Sequence, residues 1–310
     1  MPSALVTASA ALGAALLLPL LAGAADFSVR EVAPGVFVHE GRALALDVPG
    51  HDDIANLGFI IGTRCVAVID SGGSVRIGAA LRASVRRHTQ LPVCYLINTH
   101  VHVDHLLGNY AFAAERPQLL GHAQLPAALS RSRDFFLKNY AADLAPAAGA
   151  AQLPAPARTV EVGSDLSLDL GGRQLTLRAW PSAHTDCDLS VYDSRTATLF
   201  TGDLLFVART PALDGSLKGW LAALEVLARL PARHVVPGHG APGDDLAGAV
   251  EPERRYLRTL QEVVRGELAR GVTLQEALRA TDFPGRSDWL LWEQTQPHNI
   301  ARAYQELEWE

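Results

Sequence analysis

The sequence predicts an α/β chain: two halves of mixed strand and helix, then a helical tail. Three observations carry the prediction. Short β-branched apolar runs recur between residues 57 and 236, bounded by glycine-bearing turns. A strand, an amphipathic helix and a second strand follow one another over residues 65–98, the length of a βαβ unit with parallel strands. From residue 251 the apolar period changes to 3.6.

Residues 4–25 carry no charged side chain, and Leu16, Leu17, Leu18, Leu20 and Leu21 form an apolar block. Ala22-Gly23-Ala24 fits a small-x-small cleavage signal, so the expectation is an export signal over 1–25, with the mature chain starting at Ala25-Asp26. No Lys or Arg precedes the block, a departure from the usual pattern. The competing reading is an uncleaved anchor, since the run approaches the roughly 20 residues of a spanning helix. Pro19 and the small residues after it favour cleavage. No later stretch is apolar for long enough to span a bilayer.

Residues 27–32 and 36–40 flank Pro34-Gly35 as a hairpin. Runs 57–61 and 65–69 are strands around the Gly62-Thr63-Arg64 turn. Ser74 can cap a helix reaching about His88, with Val75, Ala79, Leu81 and Val85 apolar among Arg82, Arg86 and Arg87. Strand 91–98 completes the βαβ unit, which gathers chemistry at the carboxyl ends of its strands, where Asp70 and Thr99-His100 sit. From about 116 a helical stretch is expected, then the Ala/Pro-rich segment 141–157, a linker or a mobile flap that should move over a pocket for want of anchors. Strands follow at 166–170, 174–179, 189–192 and 197–204, a helix at 216–230 and a short strand at 234–236. The tail carries Tyr256, Leu257, Leu260, Val263 and Val264 on one stripe. The divisions are therefore 1–25, a catalytic domain over 26–245, and a helical extension over 246–310 packed on it.

With 48% hydrophobic and 19% charged residues, the chain is neither disordered, nor a coiled coil, nor a polytopic membrane protein. A net charge of −6 leaves no basic field to hold nucleic acid. An oxidising compartment would allow the three cysteines one disulfide. Cys65 and Cys94 open neighbouring strands, as a bridge or as two buried thiols.

Eleven histidines are unevenly placed. His100-Val101-His102-Val103-Asp104-His105 puts three imidazoles and a carboxylate into six positions after a strand. Alternate residues of an extended turn project to the same side, so His100 and His102 serve one ion while Asp104 and His105 turn toward a second. Imidazole with carboxylate suits zinc, and iron or manganese less selectively. Further donors stand at strand ends: His184 between two strands, Asp203 in Thr201-Gly202-Asp203, and His239 in Pro237-Gly238-His239-Gly240.

This arrangement resembles the metallo-β-lactamase superfamily: H-x-H-x-D-H, then His, then Asp in T-G-D, then His in P-G-H-G, in the family's order over about 56–240. The resemblance implies an αββα sandwich with metals at one edge of two sheets. It implies a first zinc on His100, His102 and His184, a second on Asp104, His105 and His239, and Asp203 bridging both. The Asp-His pair and the bridging aspartate look like the glyoxalase II branch. Residues 54–62, 66–73, 180–186 and 304–310 look more closely like the exported SoxH-like hydrolases, and among these the quinoprotein relay system zinc metallohydrolases. That likeness implies a periplasmic protein, a small-molecule substrate, and association with a quinoprotein dehydrogenase or c-type cytochrome system.

Two dications sharing a water would bring its pKa to about neutrality, giving a bridging hydroxide to attack an ester, thioester or amide (lactam) carbonyl. Asp104 would orient that nucleophile and carry a proton. Two other functions compete: a mononuclear iron oxygenase of the persulfide dioxygenase type, and a non-catalytic metal-binding partner of a periplasmic redox system. Asp70 is either a partner for the metal loop or a turn former, while Asp186 and Asp188 suit loop or helix-cap positions. Cys187 adjoins a candidate ligand, but the donors suffice without it. His122 could line the pocket or cap a helix. His39, His51, His88, His234 and His298 lack partners by spacing. Phe206, Arg209 and Trp220 follow Asp203 and could touch substrate, an arginine suiting an anionic group.

Overall fold

The expected strands pair into two sheets. The first takes β1 (Arg30–Ala33), β2 (Val36–His39), β3 (Leu57–Ile61), β4 (Val66–Ile69), β5 (Val93–Ile97), β6 (Gln118–His122) and β7 (Arg158–Val160) in that order. The second runs β12 (His234–His239), β11 (Thr198–Phe206), β10 (Leu189–Asp193), β9 (Gln174–Ala179) and β8 (Leu166–Asp169). The structure, a computed structural model, describes residues 27–145, 153–280 and 283–310. The expected export signal and the middle of the 141–157 segment lie outside the described residues.

Pairing is antiparallel from β1 to β4 and parallel from β4 to β7. Helix α1 (Val75–His88) makes the β4–β5 crossover, and Ser74 caps it by accepting from the Ile77 N–H at 3.1 Å. Strand periodicity then divides the core into layers. Ile60, Ile69 and Ile97 meet Leu177, Val191 and Phe200 between the sheets. Their neighbours Phe59, Val68 and Leu96 face outward against Ile77, Leu81 and Val85 of α1. On the other side, Leu199, Leu205 and Val235 pack beneath α4 (Leu217–Leu227), α5 (Leu246–Ala269) and α7 (Trp292–Leu307). The architecture is therefore αββα, with the C-terminal helices sharing the core of one outer layer. No helix among the described residues is long and apolar enough to cross a membrane.

Several elements differ from expectation. Strand β6 stands where a helical stretch was expected to begin, because Gln118-Leu119-Leu120-Gly121-His122 shows no alternation and only pairing with β5 and β7 selects the extended form. Helix α3 (Leu125–Asn139) follows it. Strand β7, just past the Ala/Pro-rich segment, was not anticipated either. The described ends of that segment are anchored, contrary to expectation: Leu144 and Leu153 are buried with Val101, Val103 and Phe136. In addition, the Asp143 carbonyl accepts from the Val75 N–H at 2.9 Å. Helix α5 begins at Leu246, ahead of residue 251 where the 3.6 period becomes visible, because Asp245 accepts from the Gly248 N–H at 2.9 Å and so caps it.

The end of the sandwich where β4 and β5 begin is tied covalently and ionically. Cys65 and Cys94 form a disulfide with Cα atoms 5.8 Å apart. Fully buried Arg173 makes a bidentate pair with Asp193 at 3.0 and 2.7 Å and donates to the Ile61 carbonyl of the other sheet at 3.0 Å. Removing the disulfide (Cys65→Ala with Cys94→Ala) should cost about 2–4 kcal/mol through the freed unfolded chain. A urea midpoint equal to the parent's under non-reducing conditions would refute that contribution.

Candidate metal centre

The carboxyl ends of the strands in both sheets meet at the opposite edge. After β5 the chain stays extended through His100 and His102, then winds one helical turn, α2 (Val103–Leu106), that carries Asp104 and His105. His184 lies in the turn after β9, Asp203 within β11, and His239 at the end of β12. Gly202 takes φ +54° at an irregularity in β11, and a Cβ there would sit 2.6 Å from Thr99 Cβ of the facing sheet. A Cβ on Gly238 would strike Asp203 Oδ1. Gly202 thus lets the two halves of the site close on each other, and Gly238 leaves room for the carboxylate of the neighbouring strand in its own sheet.

All seven sequence-predicted donors come together, in two groups. His100 Nε2 and His184 Nε2 each lie 3.0 Å from His102 Nδ1. His239 Nε2 and His105 Nε2 lie 3.3 and 3.6 Å from Asp104 Oδ2. Asp203 faces both groups: Oδ2 is 3.4 Å from His184 Nε2 and 3.2 Å from His239 Nε2, while Oδ1 is 3.1 Å from His105 Nε2. Within each group the potential ligand atoms lie within 4.8 Å of one another. His105 Nε2 and Asp203 Oδ1 are buried without a hydrogen-bond partner. Such atoms are costly unless something compensates them, and a bound cation does.

The outward nitrogen of each of these five histidines has an acceptor of its own. His105 Nδ1 meets Asp70 Oδ2 at 2.8 Å, His184 Nδ1 the Ala212 carbonyl at 2.6 Å, and His239 Nδ1 the Ile54 carbonyl at 2.7 Å. His102 Nε2 meets Asp214 Oδ2 at 2.8 Å. Thr99 Oγ1 donates to Asp70 Oδ2 at 2.7 Å, leaving its lone pair for His100 Nδ1 at 3.0 Å. Hydrogens placed by this network turn the inward lone pairs of His100, His102 and His184 toward the cluster, the usual arrangement around metal-binding imidazoles, while His239 Nδ1 also lies 3.0 Å from the donor Arg209 Nη1.

Electrostatics treat the rings differently. Burial lowers His100 strongly and His184 to about 4, keeping both rings neutral. Burial opposes the charge of Asp104 and Asp203, yet the surrounding imidazoles hold both below the usual carboxylate range. Burial would also lower His105, but Asp203, Asp104 and Asp70 outweigh it and raise that ring well above an ordinary imidazole. A dication would take the place of the proton held there.

The remaining expectations divide. Asp70, left open as partner or turn former, is both: it has φ +55° and bonds His105 and Thr99. His122 accepts from the Gln124 N–H at the entry to α3, as a cap would, and Asp188 accepts from Thr185 within its own turn. Asp186 pairs with Arg131 at the surface. Cys187 is buried apart from both donor groups. Phe206 and Arg209 line a cavity of about 260 Å³ above the donors, with Leu46, Phe135, Phe136 and Tyr140. Trp220 does not line it; it is fully buried, its indole N–H given to the Leu204 carbonyl.

Four of the histidines expected to lack partners have carboxylates: His39 with Asp53, His51 with Asp143, His234 with Asp244 and His298 with Asp214. His88 bonds the Ser84 carbonyl. Sequence reasoning missed Asp214, a lone acid in a turn with no pattern around it. The carbonyls of Ile54 and Ala212 leave no sequence signal at all.

Residues 51–239 match the family model of the metallo-beta-lactamase superfamily, and the chain belongs to that superfamily. No curated protein matches the sequence significantly. Among solved structures, a metallo-beta-lactamase from Pontibacter korlensis is similar at 21% identity and a TM-score of 0.59, over 74% of this chain and 98% of that one. One from Hirschia baltica is similar at 20% and 0.57, over 74% and 96%. The stereoselective inverting sec-alkylsulfatase Pisa1 from Pseudomonas sp. is similar at 16% and 0.69, over 90% of this chain and 50% of that one. These likenesses are of fold.

Asp70→Asn tests the network without reference to any ligand. It keeps the side-chain volume but sets an amide against the His105 Nδ1–H or the Thr99 donors, and should cost about 1–3 kcal/mol. A denaturation midpoint unchanged from the parent would show that the acceptor is dispensable.

Proposed function

We propose that the chain is a dinuclear zinc hydrolase of a small ester, thioester or amide (lactam) substrate. The observation that supports this most is Asp203, whose Oδ2 lies 3.4 Å from His184 Nε2 of one donor group and 3.2 Å from His239 Nε2 of the other, with Oδ1 3.1 Å from His105 Nε2. On this reading His100, His102 and His184 would hold one ion and Asp104, His105 and His239 the second, with Asp203 available to both. Bound there, two Zn²⁺ would supply a water acidified to about neutrality and Lewis-acid polarisation of the carbonyl.

The chain's own residues would do the rest. Asp104, on the first turn of α2, orients the attacking water and accepts its proton. The aromatic wall of Phe135, Phe136 and Phe206 limits water around the substrate. Arg209, with Nη1 3.0 Å from His239 Nδ1, sets a cation beside the second group, suited to an anionic substituent. No serine or cysteine nucleophile is required.

The test is metal content together with turnover. Two zinc ions per chain and hydrolysis on a panel of esters, thioesters and lactams are expected. His102→Ala should abolish turnover and lower occupancy toward one ion, since it leaves the first ion only two imidazoles and the carboxylate it shares with the second. One iron per chain with oxygen uptake would overturn the reading in favour of an oxygenase, and two ions with no turnover in favour of a metal-binding partner protein.

The same reading makes the protein an exported, SoxH-like enzyme of the quinoprotein relay type, working in the periplasm beside a quinoprotein dehydrogenase or c-type cytochrome system. The signal-like 1–25 segment and the motif likenesses at 54–73, 180–186 and 304–310 support it. Terminal sequencing of protein recovered from the periplasm should begin near Ala25. A cytoplasmic chain that retains Met1 would overturn it.

A further inference from the structure

The loop after β11 carries two of the groups that brace the three-histidine cluster. They are the Ala212 carbonyl on His184 and the Asp214 carboxylate on His102. The C-terminal helix α7 holds the second half of that loop at several residues. Asn299 Nδ2 donates to the Pro211 carbonyl at 2.6 Å, and Asn299 Oδ1 accepts from the Leu213 N–H at 2.9 Å. Arg302 donates to the Asp214 carbonyl at 2.6 Å, and Glu306 accepts from Ser216 Oγ at 2.8 Å and the Leu217 N–H at 2.6 Å. The Asp214 side chain is shared: Oδ2 meets His102 Nε2 at 2.8 Å, and Oδ1 meets His298 Nε2 at 2.7 Å.

His102 is the ring of its cluster that packing restrains least. Its side chain is 28% exposed, against 1% for His100 and 0% for His184. Neighbouring side chains lock the other two, whereas the orientation of His102 depends on the bond at its outward nitrogen. Asp214 is itself 38% exposed, and His298, one turn of α7 from Arg302, prevents its carboxylate from rotating away.

We propose that α7 is a working part of the metal centre: His298, acting through Asp214, positions the His102 ring and so sets the geometry and affinity of the three-histidine cluster. Both are positioning residues. The effect passes through hydrogen bonds, with His298 Nε2–H donating to Asp214 and to the Leu213 carbonyl at 3.1 Å, and it requires no change of charge. The proposal rests on the reading that this cluster binds an ion, so its test includes a measurement made without one.

Full-length parent, Asp214→Ala, His298→Ala and His298→Gln are titrated with Zn²⁺ and with Co²⁺ as a spectroscopic probe. Asp214→Ala should weaken the ion at the three-histidine cluster by about 10- to 100-fold and leave the other ion within about twofold, with a changed Co²⁺ visible spectrum. His298→Ala should lose about tenfold, the low end of the same range, and His298→Gln, whose amide still donates, should recover most of it. Melting temperatures should stay near the parent's, because the pair is half-exposed. In the metal-free proteins at mildly alkaline pH, imidazole ¹⁵N shifts should report His102 as the Nε2–H tautomer in the parent and a mixture in Asp214→Ala. An unchanged tautomer in Asp214→Ala overturns the proposal whether or not metal binds. So does a parent-like affinity in either alanine variant, and so does an equal loss at the two clusters. A parent that binds no ion sinks the metal reading, and the tautomer measurement still decides this one.

Discussion

Two buried carboxylates and five imidazoles facing one another at 3–4 Å form the constraint around which the rest of the molecule is arranged. Such a cluster is costly in a low-dielectric interior, because unpaired polar atoms there lose hydration without replacement. His105 Nε2 and Asp203 Oδ1 remain unpartnered within it. The fold meets that cost at the periphery, where each ring gives its outward N–H to an acceptor. A cation bound at the centre would meet the remainder.

Assembling the cluster requires two sheets to approach closely at one edge. Gly202 permits this by leaving room for Thr99, while Gly238, within the second sheet, leaves room for the Asp203 carboxylate of the neighbouring strand. Asn56 adds a third tie, its side-chain amide donating to the Pro237 and Gly240 carbonyls at 2.8 and 2.7 Å and so clamping the turn that presents His239. The far edge is held by different means, a disulfide and the Arg173–Asp193 pair, which carry no chemistry. Rigidity at one end and convergence at the other follow from the same strand directions.

The C-terminal helices look like an appendage in sequence and behave as a layer in space. Leu257, Leu260, Ile300 and Ala303 complete the core outside the second sheet. Their polar residues grip the loop that supplies Ala212 and Asp214. An extension packed this way connects the surface of the protein with the donor cluster by a short path, His298 to Asp214 to His102.

How much was legible in advance follows from where the information lies along the chain. Period-two runs, the Ser74 cap and the change to a 3.6 period reflect local backbone and side-chain preferences, so the main strands and α1 could be read directly. The seven donors were legible because their types and order form a pattern, six-position cluster first and turn-borne His, Asp and His after it. Strands β6 and β7 were not, since neither alternates and each is extended only because a neighbour offers it hydrogen bonds. Nor were the roles of Asp214 and His298, 84 residues apart and joined only when α7 docks. Local periodicity and donor chemistry thus belong to the sequence by itself. Which oxygen faces which ring, and which carbonyl receives each N–H, were decided by the tertiary structure, because those contacts join chain segments whose separation carries no local signal.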